Sequence, residues 1–216
     1  MYFDINHFYK YGFAFVKGFN QEISTLSSIM HDISWVSNPV DDRAYKIPDW
    51  LRDKLLANPE CEINPPSKVE SLLLQIIRDK YFFNMVGKKN ISLYDTYLYN
   101  GTKGQGWHWE GYEVPYNCPW FMMIYFNNDW EEHYGGQIEF GSLNWDLEID
   151  IYNYHSAYNY SSSKNIIPTY SIAPKFGTCI LATNQNPTIL HRVLPSNSDY
   201  DRLSLLTVFK VESDRD

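Results

Sequence analysis

The apolar positions of this chain change period part-way along it. Over 20–31, Ile23, Leu26, Ile29 and Met30 recur near helical spacing, and over 68–80 Val69, Leu72, Leu73, Ile76 and Ile77 make an apolar stripe. Such stripes mark helices that bury one face. The second stripe follows the breaker Asn64-Pro65-Pro66, and Ser67 with Glu70 supplies a capping box at its start. Asp4 is placed to cap a short helix over 5–10, and Pro48 to open one over 48–57 that ends ahead of Pro59. Residues 12–18 read as a strand between two glycines, and 32–48 as loop. These helices are expected to buttress the outside of a sheet.

From residue 90 the period falls to two. Strands are predicted over 91–99, 119–127, 136–141, 145–152, 176–183, 188–194 and 202–211. Side chains two apart share a face of a strand, so Tyr97 groups with Tyr99, and Phe121 with Met123 and Tyr125. So many strands with few helices among them argue for a closed or double sheet rather than alternating β and α units. Residues 153–169, rich in Asn, Tyr and Ser, are the longest loop of this half. A loop of that length serves either as a lid or as a surface insertion.

Composition narrows the picture. A chain of 216 residues is expected to be one domain, with 1–89 as helical support and 90–211 as the β core. Aromatic residues are 17% of it, enough to line a wide barrel mouth or simply to fill a core. Nucleic-acid binding rests on Lys and Arg neutralising phosphates. A net charge of −8 without a basic run therefore argues against a nucleic-acid partner. Cys61, Cys118 and Cys179 are too far apart for a zinc motif and too few for a disulfide framework, which fits a reducing, cytoplasmic setting. The first residues lack a signal-peptide pattern, and no apolar run approaches the ~20 residues a membrane span needs.

The chemistry concentrates at Trp107-His108-Trp109-Glu110. In an extended chain His108 and Glu110 point the same way and can meet one metal ion. His191, inside the predicted strand 188–194, is the best third ligand. His133 sits in a predicted turn after Glu131-Glu132, and His155 in the Asn/Tyr-rich loop; neither has a carboxylate two residues on. Two histidines and a carboxylate on one face leave open positions opposite, the arrangement of non-haem Fe(II) oxygenases. Eleven residues beyond His191, Arg202 puts a permanent cation into the apolar strand of Leu203, Leu205, Leu206, Val208 and Phe209. A cation there needs an anionic partner, and its planar fork suits a carboxylate. Ser204 shares the Arg202 face and could add a hydroxyl donor, while alternation turns Arg192 away from the metal, towards surface or mouth.

This ordered set resembles the 2-oxoglutarate- and Fe(II)-dependent dioxygenases, and among them the prolyl-4-hydroxylase-like branch. Besides His108, Glu110, His191 and Arg202, the resemblance is carried by Tyr99-Asn100-Gly101, by Ile124-Tyr125-Phe126-Asn127-Asn128-Asp129-Trp130 with Gly135-Gly136-Gln137-Ile138, and by Ala173-Pro174-Lys175-Phe176-Gly177-Thr178. It covers roughly 90–210. The family usually has Asp where this chain has Glu110. The resemblance implies a double-stranded β-helix, a mainly β jelly roll flanked by helices. It implies Fe(II), 2-oxoglutarate and dioxygen as cofactors and co-substrates, and admits ascorbate. Arg202 and Tyr125 would then hold the far carboxylate of oxoglutarate, and Tyr99 would lie near the iron. The expected reaction is hydroxylation of a C–H bond, in a prolyl or other amino-acid side chain, free or within a peptide, with release of succinate and CO2. Trp107, Trp109, Tyr112, Tyr116 and Trp120 are candidates for the mouth. The competing expectation is a metal-binding barrel that is not an oxygenase: an isomerase, a sensor or a sugar-binding module. Such a barrel has no need of an arginine placed like Arg202.

Overall fold

The computed structural model describes residues 4–39, 45–58, 65–77, 90–108, 120–143, 166–183, 189–197 and 199–212. Four helices and eleven strands occur among them. They are α1 (Ile5–Tyr11), β1 (Phe13–Phe15), α2 (Asn20–Asp32), β2 (Trp35–Ser37), β3 (Tyr45–Pro48), α3 (Asp49–Ala57), α4 (Ser67–Ile77), β4 (Asn90–Gly101), β5 (Gln105–His108), β6 (Trp120–Tyr125), β7 (Ile138–Leu143), β8 (Ile166–Ile172), β9 (Cys179–Thr183), β10 (Ile189–Val193) and β11 (Arg202–Glu212).

The strands form two antiparallel sheets, one in the order β1-β9-β6-β11-β4-β3-β2 and one in the order β5-β10-β7-β8. This is the mainly β jelly roll expected from the chain. Alternation along β6 and β11 splits the core in two. Phe121, Met123, Tyr125, Leu206 and Val208 point between the sheets, with Ile138, Phe140 and Ile172 facing them from the smaller sheet. Met122, Ile124, Leu203, Leu205 and Phe209 point the other way and bury Ile23, Leu26 and Met30 of α2 and Val69, Leu73 and Ile76 of α4. The predicted stripes are therefore the faces that α2 and α4 lay on the back of the larger sheet. Burying each such side chain contributes ~1.5–3 kcal/mol.

The N-terminal elements follow from local chemistry. The Asp4 side chain accepts from the His7 amide, and Gly12 closes α1 at φ 77, a conformation that suits glycine. The predicted strand over 12–18 is shorter, Phe13–Phe15, with the Val16 amide adding one bond to the Cys179 carbonyl. The loop expected over 32–48 is corrected: β2 and β3 pair there, Val36 opposite Ile47, and β3 joins β4 at the sheet edge. Strands of three and four residues are too short to establish a period, and edge pairing decides them. Pro48 precedes α3 as its N-cap residue. The loop expected over 153–169 is corrected at its end, because β8 already begins at Ile166. Its exposed middle hides the alternation, and pairing with β7 supplies the order. The rest of that loop, the strand expected over 145–152 and the end of the helix expected over 68–80 lie outside the described residues. Among the described residues no helix is long and apolar enough to cross a membrane.

Candidate active site

β5 and β10 pair with His108 directly opposite His191. Their ring centroids lie 4.2 Å apart. His191 is buried, with Phe121 at 5.0 Å and Phe140 at 6.0 Å between ring centroids, so packing from both sheets fixes its orientation. The His108 Nδ1 lies 2.7 Å from the Gly106 carbonyl oxygen. A carbonyl oxygen only accepts, so Nδ1 carries the proton and donates. In the neutral ring that leaves Nε2 as the nitrogen able to take a metal ion. Glu110 lies outside the described residues, and among the described residues no three His, Cys, Asp or Glu side chains gather into a metal-holding group. His133, the first rival, is exposed and pairs with Glu131 in a short 3₁₀ turn over Glu132–Tyr134. His155 lies outside the described residues.

A second cluster occupies the inward face of the larger sheet. Tyr99, Ser204 and Tyr125 form one row across β4, β11 and β6, and Arg202 stands one inward step further, opposite Gly101. Arg202 Nη1 donates weakly to the carbonyls of Gly136 (3.3 Å) and Leu194 (3.4 Å). Its Nε is buried and has no hydrogen-bond acceptor, and the same is true of the Tyr125 hydroxyl. Burial pulls the guanidinium below its ordinary value, while Tyr125 and Tyr99 act in the opposite direction. Burial pushes the Tyr125 phenol up to about 12 against the pull of Arg202, so its proton stays on as a donor. No carboxylate of the described residues pairs with Arg202. Buried donors left open cost about 1–3 kcal/mol each. The Arg202 Nε and the Tyr125 hydroxyl are two such donors.

The site's support was not visible in the sequence. Gly136 takes φ +73, and a Cβ there would meet Trp130 at 3.0 Å and the Arg202 side chain at 3.5 Å. Arg202 thus lies against a glycine that leaves it room. On the opposite face of the smaller sheet, Arg192 is turned away from the metal side as alternation implies. There Nη2 and Nε both donate to Glu139 at 2.6 Å, and the guanidinium lies 4.7 Å over the Trp107 ring. Trp107 is buried in this stack and Trp120 packs on the helix-side cluster, so neither lines a mouth. Alternation carries each to the face opposite the site. Trp109, Tyr112 and Tyr116 lie outside the described residues.

The jelly roll thus brings His108 opposite His191 and sets the Arg202 Nε and the Tyr125 hydroxyl, neither with a hydrogen-bond partner, on the inward face of the larger sheet. The chain belongs to the 2OG-Fe(II) oxygenase superfamily, whose sequence model matches residues 95–210. It is a 2-oxoglutarate-dependent Fe(II) dioxygenase with dioxygen as co-substrate, which sets aside the non-oxygenase barrel. No curated protein sequence matches it. Among solved structures it is similar to a Pseudomonas putida prolyl-4-hydroxylase, with 13% identity, 96% of this chain and 97% of that one covered, and a TM-score of 0.53. It is also similar to HygX from Streptomyces hygroscopicus with nickel, 2-oxoglutarate and hygromycin B bound (15% identity, 96% and 86% covered, TM-score 0.53). A third is the epimerase SnoN in complex with Fe3+, alpha ketoglutarate and nogalamycin RO (11% identity, 95% and 81% covered, TM-score 0.56). At these identities the likeness is one of fold.

Proposed function

We propose that this dioxygenase hydroxylates a C–H bond of a prolyl or other amino-acid substrate, free or peptidyl, releasing succinate and CO2. Residues 1–216 act as one domain in this reading, 1–89 supporting a core of 90–211, in a cytoplasmic setting. His108, Glu110 and His191 hold Fe(II), which when bound chelates oxoglutarate and activates dioxygen. The single observation that carries the assignment is the open donor pair, Arg202 Nε and the Tyr125 hydroxyl. A carboxylate placed between them satisfies both and neutralises the guanidinium at once. Ser204, between Tyr99 and Tyr125 in the same row, adds a hydroxyl, and Tyr99 is assigned to the metal end by its place in the Tyr99-Asn100-Gly101 motif. The two histidines stand opposite each other on adjacent strands, and Phe121 and Phe140 pack beside His191. The amino-acid class is supported by fold likeness to a prolyl-4-hydroxylase and by the motif order of the chain.

The test is an anaerobic titration of the Fe(II)-loaded protein with 2-oxoglutarate, following the visible metal-to-ligand charge-transfer band. The band is expected in the wild type, and Arg202→Ala is expected to raise the oxoglutarate requirement while leaving iron binding in place. Equal effects of Arg202→Ala on iron and oxoglutarate would overturn its role.

A further inference from the structure

Backbone pairing by itself holds His108 loosely. β5 is a four-residue edge strand whose neighbour in the sheet is β10. His108 stands opposite His191 and Gln105 opposite Val193, so Gly106 and Trp107 together face Arg192. That is a bulge, and a bulge breaks the ladder at its extra residue. The break falls where the ring is oriented, because the Gly106 carbonyl accepts from His108 Nδ1 at 2.7 Å. What fixes the bulge lies on the reverse face of the sheet. The Trp107 side chain is buried there, and the Arg192 guanidinium lies 4.7 Å over its ring. Arg192 Nε and Nη2 both donate to Glu139 Oε2 of β7 at 2.6 Å. A Cβ on Gly141 of β7 would meet Trp107 Cη2 at 2.9 Å, so the indole reaches past β10 and fills the space that this glycine leaves.

One stack thus ties β5, β10 and β7 together, and each member is the chain neighbour of a residue on the other face. Trp107 precedes His108, Arg192 follows His191, and Glu139 precedes Phe140, whose ring centroid is 6.0 Å from that of His191. Successive side chains of a strand point to opposite faces, and a slip of one residue exchanges the faces. Holding Trp107 on the reverse face therefore holds His108 on the inward one. A slip of β5 would draw the indole out of its slot beside Gly141 and from under the guanidinium. We propose that Arg192, with Glu139, is a positioning residue for the metal site: through Trp107 it keeps His108 opposite His191, where both can hold one ion. This rests on the ligand reading given above. The planar fork of arginine lies flat on a ring and donates twice to one carboxylate, a combination that lysine lacks.

Two readouts test it. The first needs no metal: in the metal-free protein, NMR cross-relaxation between the ring protons of His108 and His191, whose centroids lie 4.2 Å apart, reports whether the rings still face each other. The second is the Kd for Ni(II) by calorimetry. Arg192→Ala is expected to lose the ring contact and to raise the Ni(II) Kd ~10- to ~100-fold, the range for groups that orient metal ligands from behind. Arg192→Lys and Glu139→Gln, milder changes, are expected to do the same to a smaller degree. Val69→Ala in α4, on the helix side of the larger sheet, controls for lost stability: it should lower the unfolding free energy and move neither readout. Ring contact and Ni(II) affinity both kept in Arg192→Ala, or both lost equally in Val69→Ala, would overturn the proposal. If Arg192→Ala does not fold, Arg192→Lys decides in the same way. A wild-type protein that shows the ring contact but binds no Ni(II) would refute the ligand reading instead, and the ring contact alone would then judge Arg192.

Discussion

Replacing Tyr125 by Phe should move stability and co-substrate binding in opposite directions. The hydroxyl is fully buried and has no hydrogen-bond partner, and the ring around it is fully packed. A buried polar group without a partner costs about 1–3 kcal/mol, so deleting it while keeping the ring should stabilise the co-substrate-free protein by about 1 kcal/mol. If the hydroxyl instead awaits a carboxylate, the bound state loses a hydrogen bond to a charged acceptor, worth about 1.5–3 kcal/mol. At 1.4 kcal/mol per decade that is a rise in the oxoglutarate Kd of ~10- to ~100-fold. The assays are denaturant unfolding without oxoglutarate and the anaerobic charge-transfer titration with it. The stabilisation that oxoglutarate confers, RT ln(1 + [L]/Kd), should shrink correspondingly. A variant less stable without oxoglutarate would mean that the hydroxyl has a partner within the fold. An unchanged oxoglutarate Kd would remove Tyr125 from the acid site.

Gly136→Ala places a Cβ at φ +73 and against Trp130 and Arg202; a loss of about 1–2 kcal/mol in unfolding free energy and a weaker oxoglutarate complex are expected, and an unchanged complex would separate Gly136 from Arg202 positioning. Asn127→Ala removes the bonds from Asn127 Nδ2 to the Pro174 (2.7 Å) and Leu203 (3.2 Å) carbonyls and from the Leu203 amide to Oδ1 (2.6 Å). With several buried groups left open at about 1–3 kcal/mol each, denaturant unfolding should register a loss of about 3 kcal/mol or more, the largest of these substitutions. Stability should also fall at high pH. Burial pushes the Cys179 thiol from 9.0 up to about 12 and the Tyr125 phenol from 10.0 up to about 12. The folded state then holds protons that the unfolded chain releases, so stability is full below about pH 9 and declines as pH rises towards 12. Cys179→Ala should flatten the part of that decline that begins near 9, measured as unfolding free energy against pH.

How much of this was legible in the chain depended on whether a feature was local. The stripes of α2 and α4, the Asp4 cap and the alternation of β6 and β11 are set within a few residues, and the structure places them where the pattern does. The contexts of His133 and His191 are local too: His133 lies exposed in a turn with Glu131 at 3.2 Å, and His191 lies buried in β10. The hairpin of β2 and β3 and the start of β8 were not legible, since short or exposed edge strands take their order from a neighbour far away in sequence.

Register is the harder quantity, and it decides the site. That Arg192 points away from the His191 face follows from alternation alone, but that it meets Glu139 follows only once β10 lies on β7 with those two residues opposed. The same holds for Trp107. Its neighbour His108 marks it as a mouth residue to the eye, yet alternation sends the indole to the reverse face, where Arg192 covers it. His108 and His191 are therefore bracketed on the far side by a charge pair and a ring that the sequence scatters over 107–192. The bulge at Tyr94 carries the point furthest. One extra residue in β4 reverses the alternation beyond it, bringing Tyr94 onto the inward side beside Asp95 and sending Leu93 out to the helices. A strict period-two reading of 90–101 would put Tyr94 on the outer face with Thr96 and Leu98 and leave Asp95 without that ring. Residue types along 90–101 give the period, whereas the slip that moves Tyr94 to the inward side is revealed only by strand pairing.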